Sequence, residues 1–273
     1  MTRSVCLAAA AALAIVAAAG GAGRSAAAQA PLTSGGPVDP ALLEDLAAAY
    51  RVLANQGVID GYGHVSMRHP GHPNRYLMSR SLGPALVTPA DIMEFDLDST
   101  PVDPRGRNAV MERFIHGEIY RARPDVMAIL HAHTPELVAF GQSSVPARPV
   151  INAATFIGPA LPNYDIRKYT GGYASPVGCG HCISTPELGR NLAEVLGKSG
   201  AALLFGHGIV VVDASLQDLV SRAYNLRQNA RIQQMALTLG GTVGHLDAPI
   251  RGTSGGTGFN RDWDYWKRLV SVR

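Results

Sequence analysis

The chain has 273 residues, 47% of them hydrophobic, 16% charged and 6% aromatic, with 30 Gly and 18 Pro. That apolar content can offset the entropy cost of ordering and excludes a disordered chain, and the lack of any repeat excludes collagen-like and low-complexity classes. A formal net charge of +3 without a Lys/Arg run excludes a dedicated nucleic-acid or anionic-membrane binder.

In chain order, Met1-Thr2-Arg3 precedes an apolar run, Ser4 to Ala19, and then the small residues Ala26-Ala27-Ala28. A basic start, a short apolar run and an Ala-x-Ala site predict a signal peptide over residues 1–28, cut before Gln29. The protein is therefore expected to be exported, in a Gram-negative cell to the periplasm, with no membrane attachment after cleavage. Loss of Arg3 and Arg24 would lower the formal charge from +3 to +1. Residues 29–39 read as a flexible leader, 40–250 as one catalytic domain, and 251–273 as a Gly-rich linker with a C-terminal helix. Apolar spacing predicts a helix from Pro40 to Gly57. Strands follow over Gly61–Arg68, Arg75–Ser79 and Met93–Leu97, with a capped turn at Thr88-Pro89-Ala90-Asp91. A helix is predicted over Val110–Arg121, ended by Arg123-Pro124-Asp125, and then a buried strand over Val126–Leu130. Thr185-Pro186-Glu187 opens a helix to Leu196, and strands over Ala202–Phe205 and Ile209–Val212 flank Gly206-His207-Gly208. A long helix spans Leu216–Leu239, and a short one Phe259–Val270. The pattern predicts an α/β fold with a mixed sheet.

Nine histidines are present. His131-Ala132-His133 directly follows a predicted strand, and residues i and i+2 of a strand share a face, so both imidazoles can converge on one ion. His207 lies between two strands, with Gly206 and Gly208 leaving room beside its ring. Three His on strand ends is the composition of an open catalytic metal site, suited to one divalent ion such as Zn²⁺ or Mn²⁺. Taken alone, the His-x-His pair equally fits two partly buried histidines with ordinary hydrogen bonds. Glu112 lies on the helix before that strand, with His116 one turn later on the same face.

Together, Met111-Glu112-Arg113-Phe114-Ile115-His116, Tyr120, Arg123-Pro124-Asp125-Val126, His131-Ala132-His133 and Gly206-His207-Gly208 resemble the class II aldolase/adducin family. The resemblance covers about Leu43 to Leu239. It implies a three-layer α/β/α domain with a central mixed, mostly antiparallel sheet. It also implies a metal held by His131, His133 and His207, with Glu112 as acid/base and occasional ligand. A homotetramer with sites at subunit interfaces is the family's common assembly.

The sequence departs from the sugar-phosphate aldolases of that family where they hold phosphate. It reads Gly63-His64-Val65-Ser66-Met67-Arg68, Met78-Ser79-Arg80-Ser81 and Val110-Met111, losing small donors and gaining a guanidinium. Arg80 suits a planar carboxylate. With Pro162-Asn163-Tyr164-Asp165-Ile166, these segments resemble the family's decarboxylase branch, whose substrates are hydroxylated aromatic, heteroaromatic or related unsaturated carboxylic acids. The expected activity is metal-dependent decarboxylation of a small carboxylate, with Glu112 or His64 delivering the proton and Ser79, Arg80 and Ser81 orienting the acid. The alternatives are an aldolase acting on a hydroxy-keto compound and an adducin-like assembly domain.

Cys179-Gly180-His181-Cys182 has redox-pair spacing in a Gly/Pro-rich context, and reads as a loop staple or free thiols. Tyr224 resembles family tyrosines that approach the site, though a packing role fits it equally. Trp263, Tyr265 and Trp266 are expected to pack the last helix. His69, His72 and His245 are expected to face solvent.

Overall fold

Alternation along the strands divides the core of this protein in two. The computed structural model describes residues 33–172, 179–246 and 261–271, so the expected signal peptide and the Gly-rich linker lie outside the described residues. In chain order the elements are α1 (Pro40–Asn55), β1 (His64–Arg68), β2 (Arg75–Ser79), β3 (Ile92–Asp96), α2 (Arg113–Ala122), β4 (Ala128–Ala132) and α3 (Pro135–Gln142). Then come β5 (Asn163–Tyr164), α4 (Arg167–Thr170), α5 (Pro186–Leu196), β6 (Ala201–Leu204), β7 (Gly208–Asp213), α6 (Leu216–Leu239) and α7 (Arg261–Val270).

The strands form one sheet in the order β3-β2-β1-β4-β7-β6-β5, antiparallel except where β5 runs parallel to β6. Val65, Ala128, Leu130, Ala132, Ile209 and Val211 pack on one face with residues of α1, α3, α6 and α7. Ile129, Val210 and Val212 point the other way, into a second core with α2 and α5. Period-two burial thus produces the expected three layers. His64, Ser66 and His131 fall on the α2 side by the same alternation, because they share parity with the inward residues of that face.

Helix starts follow local chemistry. The Asp39 carboxylate accepts from the Ala41 N–H with Pro40 in the first turn, and Ser215 accepts from the Asp218 N–H. Residues 33–39, expected to be flexible, are docked: the Ser34 hydroxyl and the Gly35 N–H both donate to Glu94, at 2.6 and 2.7 Å. His69, expected at the surface, is buried because it helps seat this segment. Its Nε2 donates to the Gly36 carbonyl at 3.2 Å, and its Nδ1 accepts from the Gly71 N–H. The helix expected from Val110 begins three residues later, at Arg113. Three short elements were not legible in the sequence, namely α3, α4 and the two-residue β5. The last of these is defined only by its pairing to β6. Among the described residues, no helix is long and apolar enough to cross a membrane.

Candidate metal centre

Adjacent antiparallel strands bring the first histidines together. His64 opens β1 and is the register partner of His131, near the end of β4. His133 lies one residue beyond β4, and His207 stands in the turn between β6 and β7, where Gly206 takes φ +65°. Glu112 is the residue that precedes α2. Its carboxylate does not cap that helix; one oxygen accepts from the Ile183 N–H at 2.9 Å and the other turns toward the histidines.

The Nε2 atoms of His131 and His133 are 3.1 Å apart, and those of His133 and His207 are 3.0 Å apart. Glu112 Oε2 lies 3.4 Å from His131 Nε2 and 3.5 Å from His207 Nε2. Four donors arranged tetrahedrally about 2.0–2.1 Å from one cation would be separated by about 3.3–3.4 Å. All four donor atoms lie within 4.8 Å of one another.

Tautomers make the case sharper. His131 Nδ1 lies 2.9 Å from the Ile209 carbonyl, which can only accept, so that nitrogen carries the proton. His133 Nδ1 faces the Asp60 carboxylate at 3.0 Å in the same way. In the neutral rings both Nε2 atoms are then bare and converge on one point, the arrangement of ligating histidines whose other ring N–H is held by a carbonyl or carboxylate. Burial pushes the His131 imidazole below its ordinary pKa, against the pull of Glu112. Burial would raise the Glu112 carboxyl, but the facing imidazoles of His131 and His207 outweigh it and hold the group well below the usual carboxylate range. For Asp60, hydrogen bonds from the Tyr62 N–H, His133 and the Gly63 N–H likewise outweigh burial and lower its pKa. The donor set fits a divalent cation.

The family model for the Class II Aldolase and Adducin N-terminal domain matches residues 44–234, most of this chain, with the histidine cluster inside the match. The chain belongs to this family. A decarboxylase named tropJ from Talaromyces stipitatus is 32% identical over 244 residues, covering 81% of this chain and 91% of that protein. A 3,4-dihydroxyphthalate decarboxylase from Arthrobacter keyseri is 29% identical, covering 79% and 85%. An aldolase II superfamily protein of known structure from Pseudomonas syringae superposes with a TM-score of 0.67 at 24% identity, covering 86% of this chain and 94% of its own. An L-fuculose 1-phosphate aldolase from Glaciozyma antarctica gives 0.63 at 20% identity, with the same coverage of each chain. These structural likenesses bear on the fold.

In this class II aldolase-family chain the cluster opens into a cavity of about 830 Å³. Leu82, Val110, Met111 and Tyr62 supply apolar wall, while His64, Ser79, Ser81, Glu112, His133 and His207 supply polar groups. Two of the expected substrate residues lie elsewhere. Arg80 does not line the cavity, because its Nε donates to Asp91 at 2.7 Å, and Asp91 is itself tied to Thr88. Tyr224 packs against Trp266 with ring centroids 4.8 Å apart. Asn163 is also structural, its amide donating to the Gly141 carbonyl. No arginine or lysine lines the cavity among the described residues.

Asp60 escaped the sequence reading. Its signal was an acid at the head of Asp60-Gly61-Tyr62-Gly63-His64, where a tight turn carries a carboxylate back toward the strand ends. Asp60→Asn should weaken metal affinity about 10–100-fold by leaving the His133 tautomer unheld. Competition with a chelator of known affinity measures this, and unchanged affinity would remove Asp60 from the site.

Cys179 and Cys182 form a disulfide, and both line the cavity. The next residue, Ile183, donates to Glu112. Reducing the disulfide should therefore slow turnover without releasing metal. The effect should be about tenfold, since a hydrogen bond to a charged group contributes about 1.5–3 kcal/mol and is only loosened here. Assays with and without a thiol reductant, normalised to metal content, make the comparison.

Proposed function

We propose that the protein is a divalent-metal-dependent decarboxylase of small hydroxylated aromatic, heteroaromatic or related unsaturated carboxylic acids. The observation that carries this reading is the convergence of three Nε2 atoms and a carboxylate at the floor of a cavity with apolar walls. The decarboxylase relatives supply its reaction type. His131, His133, His207 and Glu112 would hold the ion. Bound there, it would supply Lewis acidity toward a hydroxyl or oxo oxygen beside the substrate carboxylate, and so an electron sink for loss of CO₂.

The chain's own groups divide the remaining work. Leu82, Val110 and Met111 take up the apolar ring and exclude water from its faces. Ser81 lines the cavity as a hydroxyl partner for the acid, while the Ser79 hydroxyl donates to the Arg80 carbonyl at 2.9 Å. Both oxygens of Glu112 are committed, to Ile183 and to the histidines. His64 is left as the proton carrier, because it lines the cavity and its buried Nε2 has no partner among the described residues.

The test is metal analysis of the purified protein, followed by CO₂ detection across hydroxybenzoates, phthalates and pyridine carboxylates. One divalent ion per chain and CO₂ from at least one carboxylate are expected. Aldehyde release from a hydroxy-keto compound, with no CO₂ from the panel, overturns the reading. Export and a homotetramer belong to the same proposal. The first expects a mature chain beginning at Gln29, read by N-terminal sequencing, and the second a fourfold mass by light scattering.

A further inference from the structure

The turn that leads into β1 carries an aromatic ring to the edge of the cavity. Tyr62 is 80% exposed. Of the described large apolar side chains that are exposed, only Tyr62 and Met111 line the cavity, and of these two only Tyr62 is aromatic. Its backbone is nonetheless fixed. One oxygen of Asp60 accepts from the Tyr62 N–H at 2.9 Å and the Gly63 N–H at 3.0 Å, while the other faces His133 Nδ1 at 3.0 Å. Gly63 closes the turn tightly, since a Cβ there would fall 2.8 Å from Ile59 Cβ and 3.2 Å from the His131 carbonyl oxygen. One carboxylate therefore ties the segment bearing Tyr62 to a candidate metal ligand, and the β4 backbone seats its far end.

An exposed tyrosine on a loose surface loop is ordinary. A ring whose Cα is held against the strand ends differs, because only its two side-chain torsions have to be fixed when a flat partner arrives. Its hydroxyl can stay in water, while its face offers apolar area and a quadrupole that favours an offset or edge-to-face aromatic partner. Leu82 and Val110 give the same cavity apolar area without that preference. The hydrogen bonds that place Tyr62 are made by the backbone and by Asp60, so they survive a change of its side chain.

We propose that Tyr62 is a specificity-determining residue whose ring stacks on the ring of the substrate, so that the site favours aromatic and heteroaromatic acids over other unsaturated acids. Its part in turnover rests on the decarboxylase reading; its place at the cavity does not. Stacking forms and breaks no covalent bond and leaves the chemical step to the groups at the cavity floor. Tyr62 should therefore act on Kd and KM for a ring-bearing acid, with kcat little changed.

Calorimetric titration of the zinc-loaded protein with 2-hydroxybenzoate and with cis-2-hydroxycyclohexanecarboxylate tests this. The two acids carry the same polar groups on a flat and a saturated ring. A phenol and an alcohol meet a metal differently, but comparing the ratio of the two Kd values between wild type and variant cancels that difference. Tyr62→Leu keeps an apolar surface and has no aromatic face. It should weaken 2-hydroxybenzoate about fivefold, leave the saturated acid within about twofold, and keep the wild-type zinc content. Tyr62→Phe should keep the wild-type ratio. Both variants change an exposed side chain and should match the wild type in stability. An unchanged ratio in Tyr62→Leu overturns the proposal, as does failure of the wild type to bind 2-hydroxybenzoate. A changed subunit count in Tyr62→Leu by light scattering also overturns it, since the ring would then be an assembly contact. The decarboxylase reading fails separately. If the ratio shifts as expected while no carboxylate releases CO₂, Tyr62 selects an aromatic acid that this chain does not decarboxylate.

Discussion

His131→Ala should abolish stoichiometric metal binding and lower turnover by about 10³-fold or more, the size of effect expected when several kcal/mol of Lewis-acid stabilisation disappears. This histidine matters most because three partners meet on it. Its Nδ1 is anchored on the Ile209 carbonyl in the neighbouring strand, and its Nε2 faces both His133 and Glu112. Alanine would leave a buried carboxylate facing two imidazoles, a poorer donor set. The fold should survive, since the β4 backbone ladder to β1 and β7 does not depend on the side chain. Metal analysis and turnover, with circular dichroism as the control for folding, decide the matter. A folded His131→Ala protein with full metal content would show that the ion sits elsewhere.

Gly208→Ala should produce the largest stability loss among the glycines around the site. A Cβ there would fall 2.2 Å from the Ala132 carbonyl oxygen and 3.3 Å from the His133 Cα, both backbone atoms of the paired strand. Backbone cannot step aside as a side-chain end can, so β4 and β7 would have to separate just where His133 and His207 face each other. The cost should exceed the usual 1–3 kcal/mol of overpacking, reaching about 3 kcal/mol or more. A fall in the urea midpoint with unchanged slope, together with weakened metal affinity, is expected. Gly206→Ala is the comparison. Its Cβ would meet the end of the Gln142 side chain at 2.6 Å, which can swing away, leaving mainly the strain of φ +65°. That variant should cost about 1–2 kcal/mol. Equal costs at the two positions would mean that strand spacing does not set the histidine geometry.

The difference between these two glycines was not legible in Gly206-His207-Gly208. The sequence shows that room is needed beside His207, but not that one glycine faces a backbone and the other a flexible amide. A similar limit applies to Arg80. Its chemistry suits a carboxylate, and the segment Met78-Ser79-Arg80-Ser81 does reach the cavity through Ser79 and Ser81. The guanidinium itself is drawn away by Asp91, eleven residues on; the capped turn Thr88-Pro89-Ala90-Asp91 is legible in the sequence, but not that it lies against Arg80. Glu112 came out on the expected end of α2, but at its N-terminal border rather than within it, since its carboxylate turns to Ile183 and the histidines.

What the sequence determined by itself is whatever repeats or sits locally. Period-two and period-3.6 burial gave the sheet and the helices, Asp39 and Ser215 gave helix starts, His131, His133 and His207 stood out as candidate ligands, and the motifs from Glu112 to His207 carried the resemblance to the family. Tertiary structure alone decided what depends on pairing between distant segments. The β1–β4 register sets His64 beside His131, the Asp60 turn fixes His133, and packing of α2 on the sheet joins His116 and Tyr120 to Ser66. The physical reason is directionality. Burial is nearly indifferent to direction and can be read from residue type and spacing, whereas a hydrogen bond or a ligand set needs atoms aligned within a few tenths of an ångström, and only the folded chain supplies that alignment.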